Sequence, residues 1–106
     1  MKAGVLFAQN DMRYEENWTE PEIKPGHVKV RVRMCGICGS DVPRVLGSEA
    51  HFFPIILGHE FSGDVVEVAQ DVDSHKVGDR IAGVPLLPCL KCEACQRGQY
   101  ALCKNY

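Results

Sequence analysis

The sequence predicts a single, mainly β domain that carries a metal-binding loop close to its C-terminus. Apolar, β-branched stretches separated by turn residues run through most of the chain, and only one short segment has helical character. Four cysteines lie close together after the last of these stretches. The 106 residues, of which 45% are hydrophobic and 25% charged, suffice for one soluble domain with a modest core.

Four segments are predicted to form strands. In the clearest one, residues 27–34 (HVKVRVRM), valines and a methionine alternate with basic residues, which is typical of a half-buried strand with its apolar face inward. The turn residues Pro25 and Gly26 precede it. The other three segments are rich in β-forming residues, namely 2–8 (KAGVLFA), 62–69 (SGDVVEVA) and 79–86 (DRIAGVPL).

The predicted helical segment runs from Ser40 to Gly47, and Pro43 near its start is compatible with a first helical turn. No G-x-G-x-x-G motif lies between a predicted strand and a helix, so the chain has no dinucleotide site of that type. The sequence also contains no internal repeat or linker, which favours one unit over residues 1–106.

Charge and hydropathy exclude several classes of function. A formal net charge of -2 and a pI near 6 provide no basic surface for nucleic acid. No apolar run approaches the roughly 20 residues of a membrane span, and the N-terminus lacks a signal-peptide core with a cleavage site. We therefore expect a cytoplasmic protein without a nucleic-acid or membrane partner.

The C-terminal cysteines Cys89, Cys92, Cys95 and Cys103 follow a C-x2-C-x2-C-x7-C pattern. In a chain without a secretion signal, this spacing favours zinc over disulfides or free surface thiols. Four thiolates complete a tetrahedral shell and leave no open position, as in structural zinc sites. Gly98 supplies the backbone freedom with which the chain can wrap round to the fourth ligand.

A second group of chemistry-bearing residues lies in CGICGSD (residues 35–41) and GHEFSG (residues 58–63), each of which is weak evidence alone. Together with the cysteine loop, these motifs resemble the zinc-containing medium-chain dehydrogenase/reductase family over nearly the whole chain. The stretches CGSDVPRV, AHFFPIILGHEFSG and VPLLPC are most similar to its sugar-alcohol-phosphate oxidoreductases. The resemblance implies a GroES-like fold, a partly open barrel with a zinc-binding lobe at residues 88–104.

The resemblance also implies a catalytic zinc ion. Cys38 and His59 match its ligands, and Glu60 matches a ligand or an exchangeable partner, which leaves an open position for an alcohol oxygen. Ser40 matches the hydroxyl that contacts the substrate oxygen and begins a proton relay, and Asp41 matches the carboxylate that orients the histidine ligand. With NAD as the acceptor, the enzyme would oxidise a small-molecule polyol or polyol phosphate to a ketose.

One departure from the family concerns the proton relay. Many members have a histidine two positions after the aspartate, where this chain has Pro43, so the outer relay must use another group or water. His51 is a candidate for a relay or phosphate contact, and Arg44 for either a phosphate ligand or a solvated charge. The phenylalanines at 52–53 are expected in the core, with a pocket lining as the alternative, and Cys35 is expected to pack as a small hydrophobe.

In the resembling family, a dinucleotide-binding Rossmann domain follows this part of the chain, and later residues complete the catalytic domain. We therefore expect a fragment of a longer, homo-oligomeric NAD enzyme, truncated at Tyr106 before the Rossmann domain and inactive alone. The alternative is a free-standing zinc-binding interaction module, in which residues 89–103 bind a partner and the Cys38 and His59 motifs are incidental.

Overall fold

The computed structural model describes residues 1–105, and Tyr106 lies outside the described residues. The described elements are β1 (Ala3–Ala8), β2 (Asp11–Glu15), β3 (Val28–Cys35), α1 (Asp41–Leu46), β4 (Ile55–Ile56), β5 (Phe61–Val68), β6 (Arg80–Ala82), α2 (Glu93–Gln96) and a 3-10 helix (Tyr100–Leu102). None of the helices in residues 1–105 is long and apolar enough to cross a membrane. The predicted mainly β fold is confirmed.

The strands form two three-stranded sheets, with the orders β2-β1-β4 and β3-β5-β6. Every pair of neighbouring strands is antiparallel. Within residues 1–105 the sheets stay open and do not close on each other, in agreement with the partly open barrel that the resemblance implied. The β5 strand lies in the middle of its sheet. The last residues of β3 and β6 both pair with the first two residues of β5.

All four predicted strands are present, although the last is shorter than expected and contains only Arg80–Ala82. The predicted helix is confirmed as α1, which is preceded by Ser40 and ends at Leu46, with Gly47 as its C-cap. Asn10, at a φ of 61°, caps this helix from outside by donating its backbone N–H to the Val45 carbonyl at 2.8 Å. The sequence did not predict β2 or β4, which pair with opposite edges of β1.

The core is small and lies on β1 and β5. Val5, Leu6 and Val65 are at most 1% exposed. Burial of an aliphatic side chain of this size stabilises a fold by roughly 1.5 to 3 kcal/mol. The large apolar side chains that the described residues bury completely are therefore few, and each sheet contributes to them.

The expected burial of the apolar face of β3 is wrong for its second half. The first valines of the strand are partly buried, but Val32 is 54% and Met34 74% exposed. The register of β3 on β5 shifts between these two residues, which interrupts the regular alternation of faces. No described element covers this end of the strand.

Two further core predictions are wrong. Phe52 and Phe53, expected in the core, are 62% and 44% exposed, because residues 51–54 form a surface bend between α1 and β4. Cys35 is also exposed, because it is the last residue of β3 and lies at the uncovered end of that strand.

The contact between β3 and β5 leaves no space for a side chain at Gly63. A Cβ atom there would stand 2.3 Å from the Arg31 carbonyl oxygen and 2.7 Å from Val30 Cγ1. We expect Gly63→Ala to lower the free energy of unfolding by about 1 to 3 kcal/mol, because backbone cannot yield as a flexible side chain does. Gly4→Ala is the matched control, since its added Cβ would meet only Met12 Cε at 4.0 Å. Urea unfolding measures both variants, and equal stability would contradict this account of the pairing.

Candidate metal centres

The C-terminal loop folds its four cysteines into one cluster. The Sγ atoms of Cys89, Cys92, Cys95 and Cys103 all lie within 4.8 Å of one another. The distances from Cys95 Sγ are 4.0 Å to Cys89 Sγ and 3.5 Å to Cys92 Sγ. Four sulfurs placed roughly 2.3 Å from a zinc ion in a tetrahedron would stand about 3.8 Å apart. The cluster therefore fits a closed site with four thiolate ligands.

The C-terminal end of α2 turns the chain back so that Cys103 reaches the other three cysteines. Gly98, at a φ of 74°, donates its N–H to the Cys95 carbonyl at 2.9 Å, and Gln99 donates to the Ala94 carbonyl at the same distance. These two bonds end α2 in a Schellman motif and reverse the chain. The 3-10 helix then leads to Cys103. The conformational role predicted for Gly98 is thus confirmed.

The surroundings of the sulfurs shift the pKa values of three of these cysteines in different directions. Hydrogen bonds from backbone N–H groups, the strongest from Lys91, lower the pKa of the Cys89 thiol to about 6. The pKa of Cys92 is also lowered, mainly by the backbone N–H of Lys104. Cys95 is buried, and desolvation raises its pKa to about 12. A metal ion, which binds the thiolate form, would have to displace the Cys95 proton.

The second cluster forms where β3 ends and β5 begins. The two strands stay paired up to the last residue of β3 and the first of β5. Gly36 extends this ladder by donating its N–H to the Glu60 carbonyl at 2.6 Å. Cys38, three residues past β3, therefore meets His59 and Glu60, which directly precede β5. One ligand atom from each of these three residues lies within 4.8 Å of the others.

Among the residues that the structure describes, Asp41 is a charged residue that is buried, with only 6% of its surface exposed. Its Oδ2 accepts the backbone N–H of Cys38 at 3.2 Å. Its Oδ1 lies 3.6 Å from His59 Nδ1, which is longer than a hydrogen bond, and 3.4 Å from Arg44 Nη1. The same carboxylate oxygen therefore faces both the imidazole and the guanidinium, and Arg44 balances the Asp41 charge.

Arg44 also donates a long hydrogen bond of 3.4 Å to Ser40 Oγ. We expected a phosphate contact or a solvated charge at this position, but the side chain pairs within the site. Its spacing of three residues from Asp41 and four from Ser40 on a predicted helix could have indicated this contact. His51 is exposed and lies outside both clusters.

The structure thus brings the seven predicted zinc ligands into two separate groups, with Ser40 and Asp41 beside the second group. The first group has four ligands of one type, all sulfur, and can form a closed shell. The second group has three different ligand types and would leave coordination positions open on a bound ion. Zinc binding by these residues stays a prediction.

The domain is mainly β and carries two groups of candidate metal ligands, the four-cysteine cluster and an open cluster formed by Cys38, His59 and Glu60. Residues 24–106 match the alcohol dehydrogenase GroES-like domain. The chain belongs to this family, and the resemblance to zinc-containing medium-chain dehydrogenases/reductases is confirmed.

Individual relatives support the same assignment. Galactitol 1-phosphate 5-dehydrogenase of Escherichia coli K12 is 48% identical over 107 residues, covering 100% of this chain and 31% of that protein. The crystal structure of the E. coli galactitol-1-phosphate dehydrogenase matches with a TM-score of 0.83 and 43% identity, over 98% of this chain and 30% of that one.

Two more distant relatives extend the comparison. Sorbitol dehydrogenase of Bombyx mori is 44% identical, covering 95% of this chain and 30% of that protein. The crystal structure of a NAD-dependent alcohol dehydrogenase has a TM-score of 0.90 and 30% identity, over 100% of this chain and 32% of that one. The chain spans about a third of the length of these relatives.

The pKa difference within the four-cysteine cluster predicts unequal thiol reactivity after zinc is removed with a chelator. At about pH 7, Cys89 would be largely thiolate and Cys95 protonated, so we expect iodoacetamide to alkylate Cys89 faster. The Cys89 rate should fall as the pH drops through about 6. Peptide mapping by mass spectrometry measures both rates, with exposed Cys35 as the internal reference. Equal alkylation rates at Cys89 and Cys95 would contradict the pKa difference between these two thiols.

Proposed function

We propose that this chain is the zinc-binding, substrate-activating part of a NAD-dependent polyol or polyol-phosphate dehydrogenase. The substrate that we favour is galactitol 1-phosphate, oxidised to tagatose 6-phosphate. The observation that carries the proposal is the grouping of Cys38, His59 and Glu60 beside the buried Asp41. A thiolate, an imidazole and a carboxylate leave a zinc ion an open position, which four thiolates do not.

Each residue of the open cluster has a distinct task in this proposal. A bound zinc ion would supply Lewis acidity toward the substrate hydroxyl oxygen. Cys38 and His59 would hold the ion, and Asp41 would restrain the orientation of the imidazole ring. Glu60 would provide a third ligand or an exchangeable one, according to where its carboxylate lies.

Ser40 would take the substrate proton. Its Oγ already accepts a hydrogen bond from Arg44, which leaves the hydroxyl hydrogen free to turn toward another acceptor. Ser40 is also exposed, so water can receive its proton directly. This route does not need a histidine at position 43, where the chain has proline.

The four-cysteine cluster would have a structural role. Its closed shell offers no position for substrate, and metal binding to such a site stabilises the surrounding loop. Metal ligation would add to the stability of residues 88–104, whose four-residue helix and 3-10 helix are both short.

The substrate and cofactor assignments rest on the relatives. The 48% identity to the E. coli galactitol 1-phosphate enzyme supports a phosphorylated polyol, and the sorbitol dehydrogenase supports an unphosphorylated one. The NAD-dependent alcohol dehydrogenase supports NAD as the acceptor. We propose that NAD binds a Rossmann domain outside residues 1–106, in a cytoplasmic homo-oligomer. The family membership and the open cluster argue against a free-standing interaction module.

Zinc content tests the metal sites. We expect about two zinc ions per purified chain by elemental analysis, one for each cluster. Cys38→Ala and Cys92→Ala should each lose one ion. A single ion that is lost only in Cys92→Ala would contradict the proposal that the open cluster binds zinc by itself.

A chimaera tests the substrate. We would replace the matching segment of the E. coli galactitol 1-phosphate 5-dehydrogenase with residues 1–106 and measure NAD reduction with galactitol 1-phosphate, sorbitol, threonine and butanediol. Preferred oxidation of galactitol 1-phosphate, abolished by Cys38→Ala, is the expected result. The chain alone, loaded with zinc and supplied with NAD, is the control and should show no activity.

Two results would contradict different parts of this proposal. Preference of the chimaera for an unphosphorylated polyol would contradict the proposal that the substrate is a polyol phosphate. A folded, zinc-loaded chimaera that oxidises none of the substrates would remove the catalytic role of the open cluster.

A further inference from the structure

Gly36 lies between β3 and Cys38, against the side chain of Glu60. A Cβ atom added at Gly36 would stand 2.8 Å from Glu60 Oε2 and 3.3 Å from Glu60 Cβ. The backbones of the two residues are joined by the 2.6 Å hydrogen bond from Gly36 N–H to the Glu60 carbonyl. The φ angle of Gly36 is not positive, so backbone conformation does not require glycine here. A side chain at position 36 would instead occupy the space in which the Glu60 carboxylate lies.

The Glu60 side chain has few other restraints. It is exposed, and within residues 1–105 no hydrogen bond or ion pair holds its carboxylate. Its direction therefore depends on which rotamers the neighbouring atoms leave open. Gly36 leaves open the rotamer in which a Glu60 carboxylate oxygen lies within 4.8 Å of ligand atoms from Cys38 and His59.

We propose that Gly36 is a positioning residue of the open metal centre, where its missing side chain provides the space in which the Glu60 carboxylate reaches the metal. This inference rests on the proposed function, because the carboxylate position matters only if the cluster binds an ion. Gly36 acts on the metal through Glu60 and does not contact it.

The structure separates this role from a role in folding. An alanine methyl group at Gly36 would press hardest on the carboxylate end of a flexible side chain, which can rotate away. Its 3.3 Å approach to Glu60 Cβ requires only a small shift of the neighbouring atoms. At Gly63, by contrast, the same methyl group would meet a backbone carbonyl. Gly36→Ala should therefore keep its fold while the Glu60 carboxylate leaves the metal site.

Cobalt binding by the 106-residue chain provides the readout. One equivalent of Zn²⁺ is first added to the metal-free chain to fill the four-cysteine cluster. Co²⁺ is then titrated into the open cluster, and the thiolate charge-transfer band that is absent from Cys38→Ala is followed. We expect Gly36→Ala to bind Co²⁺ on the order of 10-fold more weakly, with a changed ligand-field spectrum that reports the lost carboxylate. Gly39→Ala is the matched control, since nothing lies within 4 Å of its added Cβ, and it should bind as the wild type does.

A double-mutant cycle with Glu60→Ala tests the route of the effect. If Gly36 acts through Glu60, the variant carrying both Gly36→Ala and Glu60→Ala should bind Co²⁺ with the same affinity as Glu60→Ala alone. Additive losses would overturn the inference, and so would wild-type affinity or circular-dichroic evidence of unfolding in Gly36→Ala. A wild-type chain without any Cys38-dependent cobalt band would instead overturn the proposed function, and the inference with it.

Discussion

The antiparallel pairing of β3 with β5 is the constraint on which the open cluster of Cys38, His59 and Glu60 depends. No single segment of the chain contains that cluster, because Cys38 follows one strand and His59 precedes the other. A slip of one residue would turn every side chain of β3 to the opposite face and separate the ligands. Close packing at Gly63 helps to specify the register. Cross-strand ion pairs, Lys29 with Glu67 at 3.2 Å and Arg33 with Asp64 at 2.7 Å, favour it as well.

The four-cysteine loop depends on a different kind of constraint. It has no strand pairing and little buried apolar surface. Short helical turns and hydrogen bonds from backbone N–H groups to the cysteine sulfurs shape it instead. This difference explains why the grouping of its four sulfurs could be predicted from spacing alone, since all four cysteines lie within fifteen residues. It also explains why local glycine conformation matters here, as at Gly98, whereas at Gly63 the space between strands matters.

Sequence patterns predicted the parts of the fold that are encoded locally. The alternation in β3, the position of α1 and the cysteine spacing all have counterparts in the structure. The patterns did not predict β2 and β4, because DMRYE and the two isoleucines become strands only by pairing with β1. They also placed Val32, Met34 and the two phenylalanines in the core, since periodicity indicates which face is apolar but not whether another element covers it. The closeness of Gly36 to Glu60 depends on register and could not be read from either motif.

Charge explains why the two clusters suit different tasks. A zinc ion with four thiolates carries two net negative charges, and the loop around it has Lys91, Arg97 and Lys104 against a single acidic residue, Glu93. In the open cluster, a zinc ion with Cys38, His59 and Glu60 would be neutral, and the Asp41 charge beside it is matched by Arg44. A neutral centre retains more attraction for an electron-rich hydroxyl oxygen than an anionic one, and its shell is incomplete. Displacement of Glu60 would leave that zinc ion and its ligands with one net positive charge. The position of this carboxylate would therefore adjust both the charge and the number of open coordination sites.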